Sequence, residues 1–323
     1  MAANFWASTH NSNWLQKAAL LLQEESAMRL KDRELFSVDE LVRIRVGFAQ
    51  FISTLAKKSN LRQRVVATAC VYFKRFYLRN AYRDHDPRLI APAALYLAAK
   101  TEEHTVQAKA VISQVNAMYK ADHSYPYGVR DLYEYEFRII AELDFDLLVF
   151  HPYRPLTQLC SEIDGMKECL QTAWAILNDS YRTDVCLVYP PYIVAIACLF
   201  MAASVLDKYP EQWIQRINVS ARDLISVVRT ISDLYAPASV QQTGPRFIEK
   251  IHRKLQDHFS NKKKIVANDG SRVQLPVSEG SKAAVSRTVE PTETNYETRV
   301  NDVSRRLSIV SRPPNSPKKN SKS

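Results

Sequence analysis

The chain has 323 residues, 46% of them apolar and 24% charged, with a formal net charge of +10; that is room for about two ordinary domains and a substantial core. Three of its six glycines are Gly244, Gly270 and Gly280, so glycine-rich phosphate loops and the turn-dense β-sandwiches and barrels are excluded. Residues 261–323 hold 7 Lys and 6 Arg against 6 acids, a surplus of +7 that leaves +3 for everything before them, so net charge does not point to a basic folded surface for nucleic acid.

A mostly helical chain is therefore expected. Residues 3–30 read as an N-terminal helical segment carrying Phe5, Trp6 and Trp14, with no basic start of the kind a signal peptide needs. Ser37 followed by Glu40 has the capping-box form ahead of the apolar stripe Leu41, Ile44, Phe48, Phe51, Ile52 and Leu55, which predicts a helix from Val38 onward. A second helix is predicted over Arg62 to Arg79. A third opens at Asp86-Pro87, where proline fits the first turn, and runs through Ala94 and Ala98 to Glu103. A fourth covers about Gln107 to Tyr119 and a fifth about Val129 to Leu143.

Shifting the sequence by 104 residues aligns Thr68, Ala69 and Tyr77 with Thr172, Ala173 and Tyr181, and Pro87, Ala91, Ala98 and Ala99 with Pro191, Ala195, Ala202 and Ala203. The chain thus contains two copies of a helical unit built on a small-residue central helix. The second copy is predicted at about Tyr153–Ile163, Met166–Arg182, Tyr192–Leu206, Pro210–Arg216 and Ser220–Tyr235. Tyr192 to Leu206 is too short to cross a bilayer and reads as a core helix. Five scattered cysteines read as reduced core residues, and the seven histidines show no metal-binding spacing.

The copies differ where chemistry could sit. The first central helix ends in Lys100-Thr101-Glu102-Glu103, the second in Ser204-Val205-Leu206-Asp207, and the fifth helix of the first copy carries Glu134 and Glu136 among aromatic and aliphatic residues. Lys100 is either snorkelling to water, reaching a partner or pairing on the surface. A basic run from Lys57 to Arg88, interleaved with Tyr72, Phe73, Phe76 and Tyr77, reads as the solvated face of an amphipathic helix with its aromatics buried; contact with nucleic acid or an acidic protein is the other reading. In the tail, Ser308 within Arg305-Arg306-Leu307-Ser308 and Ser316 before Pro317 resemble phosphorylation acceptors, and Lys262-Lys263-Lys264 resembles an import signal.

The doubled unit, Ala98-Ala99-Lys100-Thr101-Glu102-Glu103 and Tyr135-Glu136-Phe137 followed by Leu143-Asp144-Phe145-Asp146-Leu147 resemble the cyclins. Phe150-His151-Pro152-Tyr153-Arg154-Pro155-Leu156 and Asn178-Asp179-Ser180-Tyr181-Arg182-Thr183-Asp184 with Tyr189-Pro190-Pro191 resemble the C-type members. The resemblance covers about residues 1–240. It implies an all-α fold of tandem five-helix cyclin boxes: an N-terminal helical segment over 1–36 and boxes over 37–148 and 149–240. Beyond the resemblance a C-terminal helix is expected over 241–260, and the low apolar content and the prolines Pro313, Pro314 and Pro317 of residues 261–323 predict a disordered basic tail.

The resemblance further implies a nuclear, non-enzymatic subunit without cofactor or metal. Such a subunit binds and activates a cyclin-dependent kinase of the Mediator kinase module, meets the module's other subunits, and regulates RNA polymerase II transcription, including phosphorylation of the polymerase's C-terminal domain. No membrane is involved, and direct contact with nucleic acid is not expected. Lys100 and Glu136 would bond the backbone of the kinase's regulatory helix, with Tyr96, Ile140 and Phe145 adding apolar contact. Trp6, Asn178, Asp179 and Tyr235 would line a groove between the boxes; packing of the two aromatics in the core, with Asp179 capping a turn, is the competing reading. A cyclin-fold initiation factor on promoter DNA is the alternative function, but that family carries an N-terminal zinc ribbon and the first cysteine here is Cys70. The substrate-docking pattern of cell-cycle cyclins is missing between Leu41 and Phe48.

Overall fold

The computed structural model describes residues 4–15, 26–119, 125–208, 219–236 and 250–260. Helix α1 is Ala27–Arg33, and a π-helical turn at His10–Leu15 precedes it within the N-terminal helical segment; residues 16–25 between the two lie outside the described residues. The turn's anchors come from afar: Asn13 and Trp14 both donate to the Asp146 carboxylate, at 3.1 and 3.2 Å. Contacts 132 and 133 residues away in sequence leave no local signal to read.

The first box is α2 (Val38–Lys58), α3 (Gln63–Arg79), α4 (Pro87–Thr101), α5 (Ala108–Met118) and α6 (Val129–Glu142). Both halves of the capping box form: Ser37 Oγ accepts from the Glu40 N–H, and Glu40 accepts from the Ser37 N–H. Asp86 caps α4, with Pro87 in its first turn. Pro92 lies inside α4 and cannot donate to the Arg88 carbonyl four residues back; the Tyr125 hydroxyl donates to that carbonyl instead, at 3.3 Å. Ala91, Ala94 and Ala98 are completely buried, which lets α2, α3 and α6 approach α4 closely.

The second box begins with α7 (Tyr153–Glu162), then a 3₁₀ turn at Lys167–Cys169 leading into α8 (Leu170–Ser180). It continues through a four-residue α9 (Val185–Val188) that the sequence pattern does not announce, α10 (Pro191–Val205) and α11 (Ala221–Ser232), which ends in a 3₁₀ turn at Asp233–Tyr235. The helix expected at Pro210–Arg216 lies outside the described residues. The repeat holds to the residue at the central helices, since α4 and α10 start and stop 104 positions apart. Glu103 and Asp207, also 104 apart, take left-handed φ values of 54° and 51°, and the next N–H returns in each case to a carbonyl five residues back, at 2.8 Å. No strand occurs among the described residues.

Helix α12 (residues 250–260) packs on the first box, burying Ile251 and Leu255. Lys254 and Lys250 reach Glu40 at 2.9 and 3.5 Å. The earlier part of the expected 241–260 helix, the tail with Ser308 and Ser316, and the Lys262-Lys263-Lys264 cluster lie outside the described residues.

The basic run is not one solvated face. Helix α3 is buried almost all round, with Lys74 and Arg75 at 3% and 1% exposure. Lys74 Nζ donates to the Thr183 carbonyl and pairs with Asp184 at 3.2 Å, while Arg75 lies 4.7 Å over the Trp14 ring. Arg88 pairs with Asp86 at 2.6 Å. Three charges of the run thus lie inside the fold, while Lys57, Lys58, Arg62 and Arg64 are exposed and Arg79 and Arg83 partly so. Cys70, Cys160, Cys169 and Cys198 are buried and Cys186 is partly so, all as free thiols; burial pushes the Cys70 thiol up to about 12.

Candidate functional site

Helix α4 ends at the surface beside α6, and Lys100 Nζ lies 2.6 Å from Glu136 Oε1. The lysine side chain is 51% exposed and the glutamate 4%. The lysine pKa is raised, by its hydrogen bond to Glu136 first, with burial pulling the other way. The ammonium also sits 5.3 Å over the Tyr96 ring, which meets Tyr133 edge-on at 5.9 Å. Tyr96 is buried and Ile140 half-buried. The cation still faces water, while the anion is held ready beneath it.

Around this pair the surface is apolar where solvent would favour polar groups. Tyr133, Phe137, Phe145 and Leu148 are all exposed, Phe137 at 72% and Phe145 at 75%. Asp144 and Phe145 both adopt left-handed φ, 51° and 61°, a conformation a bulky side chain rarely takes. It is held in place by Arg79, which donates to the Glu142 carbonyl at 2.7 Å and to the Asp144 carboxylate at 2.6 Å. Further support comes from the Phe145 N–H on the Ile140 carbonyl at 3.0 Å and the Tyr72 hydroxyl on the Leu147 carbonyl at 2.5 Å. The turn is braced from both sides and leaves the Phe145 ring in water.

The four residues expected to share a groove are not all brought together. The Tyr235 hydroxyl donates to Asp179 at 2.9 Å, and Arg182 stands 3.8 Å from the same carboxylate. Asn178 turns instead to α7, accepting from the Tyr153 hydroxyl at 2.9 Å. Trp6 is 61% exposed, which excludes a core role, and it packs on Tyr192 at the start of α10, 5.8 Å between centroids. Its neighbour Phe5 meets Phe150 at 5.5 Å, and His10 accepts the Phe150 N–H at 3.1 Å, so the N-terminal segment lies along the junction of the boxes. Within that junction His151 hydrogen-bonds Thr68 of α3 at 2.8 Å and Tyr181 at 2.6 Å.

Residues 17–148 match the model of the cyclin N-terminal domain, and residues 151–236 match that of the cyclin C-terminal domain. Cyclin-C of Drosophila melanogaster is 41% identical over 243 residues, which cover 73% of this chain and 90% of that protein. The chain belongs to the cyclin C family. In fold this cyclin is similar to a chain of the Chaetomium thermophilum CAK complex bound to ATP-gamma-S, with a TM-score of 0.59 at 16% identity over 85% of this chain and 97% of that one. It is also similar to a chain of the yeast RNA Pol II CTD kinase CTDK-1 complex, with a TM-score of 0.54 at 17% identity over 62% and 67% of the two chains.

Of the residues at this cyclin's α4–α6 surface, sequence reasoning missed Tyr133, Phe137 and Leu148. Tyr133 and Phe137 are four apart on α6 and share a face with Glu136 and Ile140. An aromatic pair in register with a glutamate was available as a signal, but the same pattern also describes a buried stripe. Among the described residues no group of His, Cys, Asp or Glu is arranged to hold a metal ion, and no helix is long and apolar enough to cross a membrane.

Proposed function

We propose that this cyclin is the non-catalytic regulatory subunit of a cyclin-dependent kinase of the Mediator kinase module, acting in the nucleus on RNA polymerase II transcription and on phosphorylation of the polymerase's C-terminal domain. The observation that carries the reading is the half-exposed Lys100 held against the nearly buried Glu136 and flanked by the exposed rings of Tyr133, Phe137 and Phe145. Membership of the cyclin C family and likeness in fold to chains of a nucleotide-bound CAK complex and of an RNA Pol II CTD kinase support it.

The chemistry is a clamp on a backbone. Lys100 donates to carbonyls at the end of a kinase helix, Glu136 accepts from N–H groups, and the aromatic rings bury apolar surface of that helix. Held inward, the helix completes the kinase's own Lys–Glu ion pair, which phosphoryl transfer requires. On this reading Trp6 and the Asp179–Tyr235 pair, with Asn178 behind them, serve the other subunits of the module. Phosphorylation would fall on Ser308 and Ser316.

The test is Lys100→Glu combined with Glu136→Lys, which re-forms the ion pair with donor and acceptor exchanged. Because Glu136 is nearly buried, the double variant is read beside Phe137→Ser, whose ring is 72% exposed and whose thermal midpoint should stay within the equivalent of about 1 kcal/mol of the parent's; in both, copurification of an active kinase from nuclear extract is lost. Capture of an active kinase at parental yield would show that the partner binds elsewhere.

A further inference from the structure

Residues 4–15 cross the stretch that joins α6 to the second box and grip it at two points. His10 accepts the Phe150 N–H at 3.1 Å. Nearer α6, Asp146 Oδ2 takes both the Asn13 side-chain amide at 3.1 Å and the Trp14 indole N–H at 3.2 Å. Beside and between these anchors stand Phe145 and Leu148, apolar side chains that are 75% and 53% exposed. Trp14 itself is 3% exposed and out of reach of a partner, so it can act on binding only through its neighbours.

Those neighbours include two cations. Arg75 and Arg79, one turn apart on α3, both lie 4.7 Å over the indole ring. Arg79 is the residue that donates to the Glu142 carbonyl and to the Asp144 carboxylate, and Arg75 Nη1 reaches the Asp146 carbonyl at 3.5 Å. One buried ring thus orients both guanidiniums that hold the turn from α3, and it bonds directly to the residue that follows Phe145. Asp144 and Phe145 keep their left-handed φ only while the surroundings over-determine it. Without the brace the right-handed region lies open to them, and a change of φ at Phe145 swings its ring away from the place it now holds.

We propose that Trp14 is a positioning residue for kinase binding: with Asn13 and Asp146 it holds the turn that carries Phe145, so that the ring already stands where the kinase helix meets it. The proposal rests on the kinase-face reading above and adds to it a residue that makes no contact with the kinase. Pre-organisation of this kind acts on affinity alone. When the brace is lost, only a fraction of the chains present Phe145 correctly, and the apparent dissociation constant rises by the inverse of that fraction. The complex, once formed, is the same.

The experiment titrates the full-length chain into the kinase captured from nuclear extract on the parent protein and eluted free of it, reading the half-activating concentration and the plateau of kinase activity. Trp14→Phe keeps a ring beneath the cations and loses the indole donor. Asp146→Ala loses the acceptor at a half-buried position, so the test survives if Trp14→Phe folds poorly. In both, the half-activating concentration should rise about tenfold with the plateau unchanged, as expected where about a tenth of the chains stay competent. Asp146→Asn keeps an oxygen for the two donors and should stay within about twofold of the parent. Phe145→Ala should also raise the half-point, and adding Trp14→Phe or Asp146→Ala to it should raise it no further, which a purely structural role for Trp14 would not produce. A lowered plateau overturns the proposal, as does a half-point that neither folded variant moves. So does a full further rise in the Phe145→Ala background, or an Asp146→Asn as impaired as Asp146→Ala. Where Phe145→Ala leaves the half-point unmoved but Phe137→Ser loses the kinase, the kinase face stands and the brace falls; where neither has an effect, both readings fall.

Discussion

Asp32 on α1 is 4% exposed and accepts the backbone N–H of Arg83 at 3.1 Å. Burial raises its pKa from 3.8 to about 6, against the pull of backbone hydrogen bonds from Arg83 and Tyr82. The folded chain therefore holds this proton more tightly than the unfolded one, and the cost of the buried charge is complete above pH 6 and disappears as pH falls toward 3.8. Asp32→Asn keeps an acceptor and removes the charge; it should raise the thermal midpoint at pH 7.5 and gain nothing near pH 4, as differential scanning calorimetry across pH would measure. His10 works in the opposite sense. Burial first, then the charge of Arg75, lowers its pKa from 6.5 to about 3, and burial does the same to His151. Here the unfolded chain binds the extra proton, so stability is full above pH 6.5 and is lost as pH falls through the window down to 3. His10→Asn offers Phe150 an acceptor that cannot be protonated in this range. Between pH 6 and 4 its unfolding free energy should fall less steeply than the parent's, by about 1.4 kcal/mol per pH unit.

Glu40 belongs to two elements at once, since it closes the capping box of α2 and receives Lys254 and Lys250 from α12. The two roles separate by substitution. Ser37→Ala removes the cap and should cost about 1 kcal/mol in denaturant unfolding. Glu40→Gln retains an oxygen for the Ser37 N–H but releases the lysines, so amide exchange should quicken over residues 250–260 while α2 stays protected. The helices were legible where a local rule fixes them, at Ser37 with Glu40, at Asp86 with Pro87, and in the alanines that make α4 and α10 a pair. Elements held by distant partners were not. The turn at His10–Leu15 depends on Asp146, and α9 depends on its packing against α3. Lys74 and Arg75 carried the spacing of a wet face, and spacing cannot tell that Asp184 and Trp14 will come to meet them. At the candidate site Lys100 and Glu136 stood out through a difference between the copies. Phe137 did not, because a sequence does not say which of several aromatic residues its own core leaves uncovered.

Across the whole molecule the boxes are joined by charge as well as by apolar surface. The Lys74 side chain is 1% exposed inside the first box, and its acceptors, the Thr183 carbonyl and the Asp184 carboxylate, belong to the second. Burial would raise the Asp184 pKa, but Lys74 and Arg45 together hold it below its ordinary value. Taking away one partner of such a pair strands the other. Asp184→Ala should cost about 3 kcal/mol or more, and adding Lys74→Met should restore part of the loss, which a double-mutant cycle measures. The same joint sets an order of events during synthesis. Asp184 follows Lys74 by 110 residues, roughly 5 to 20 seconds of translation at ordinary rates. During that interval the cation that ends up at the centre of the first box has no counterion, so the joint between Lys74 and Asp184 is among the last contacts of the first box that synthesis makes available, followed only by those of α12. A nascent chain stopped before Asp184 should therefore be cleaved at α3 faster by a protease than one stopped beyond residue 260, as limited proteolysis of stalled chains would measure.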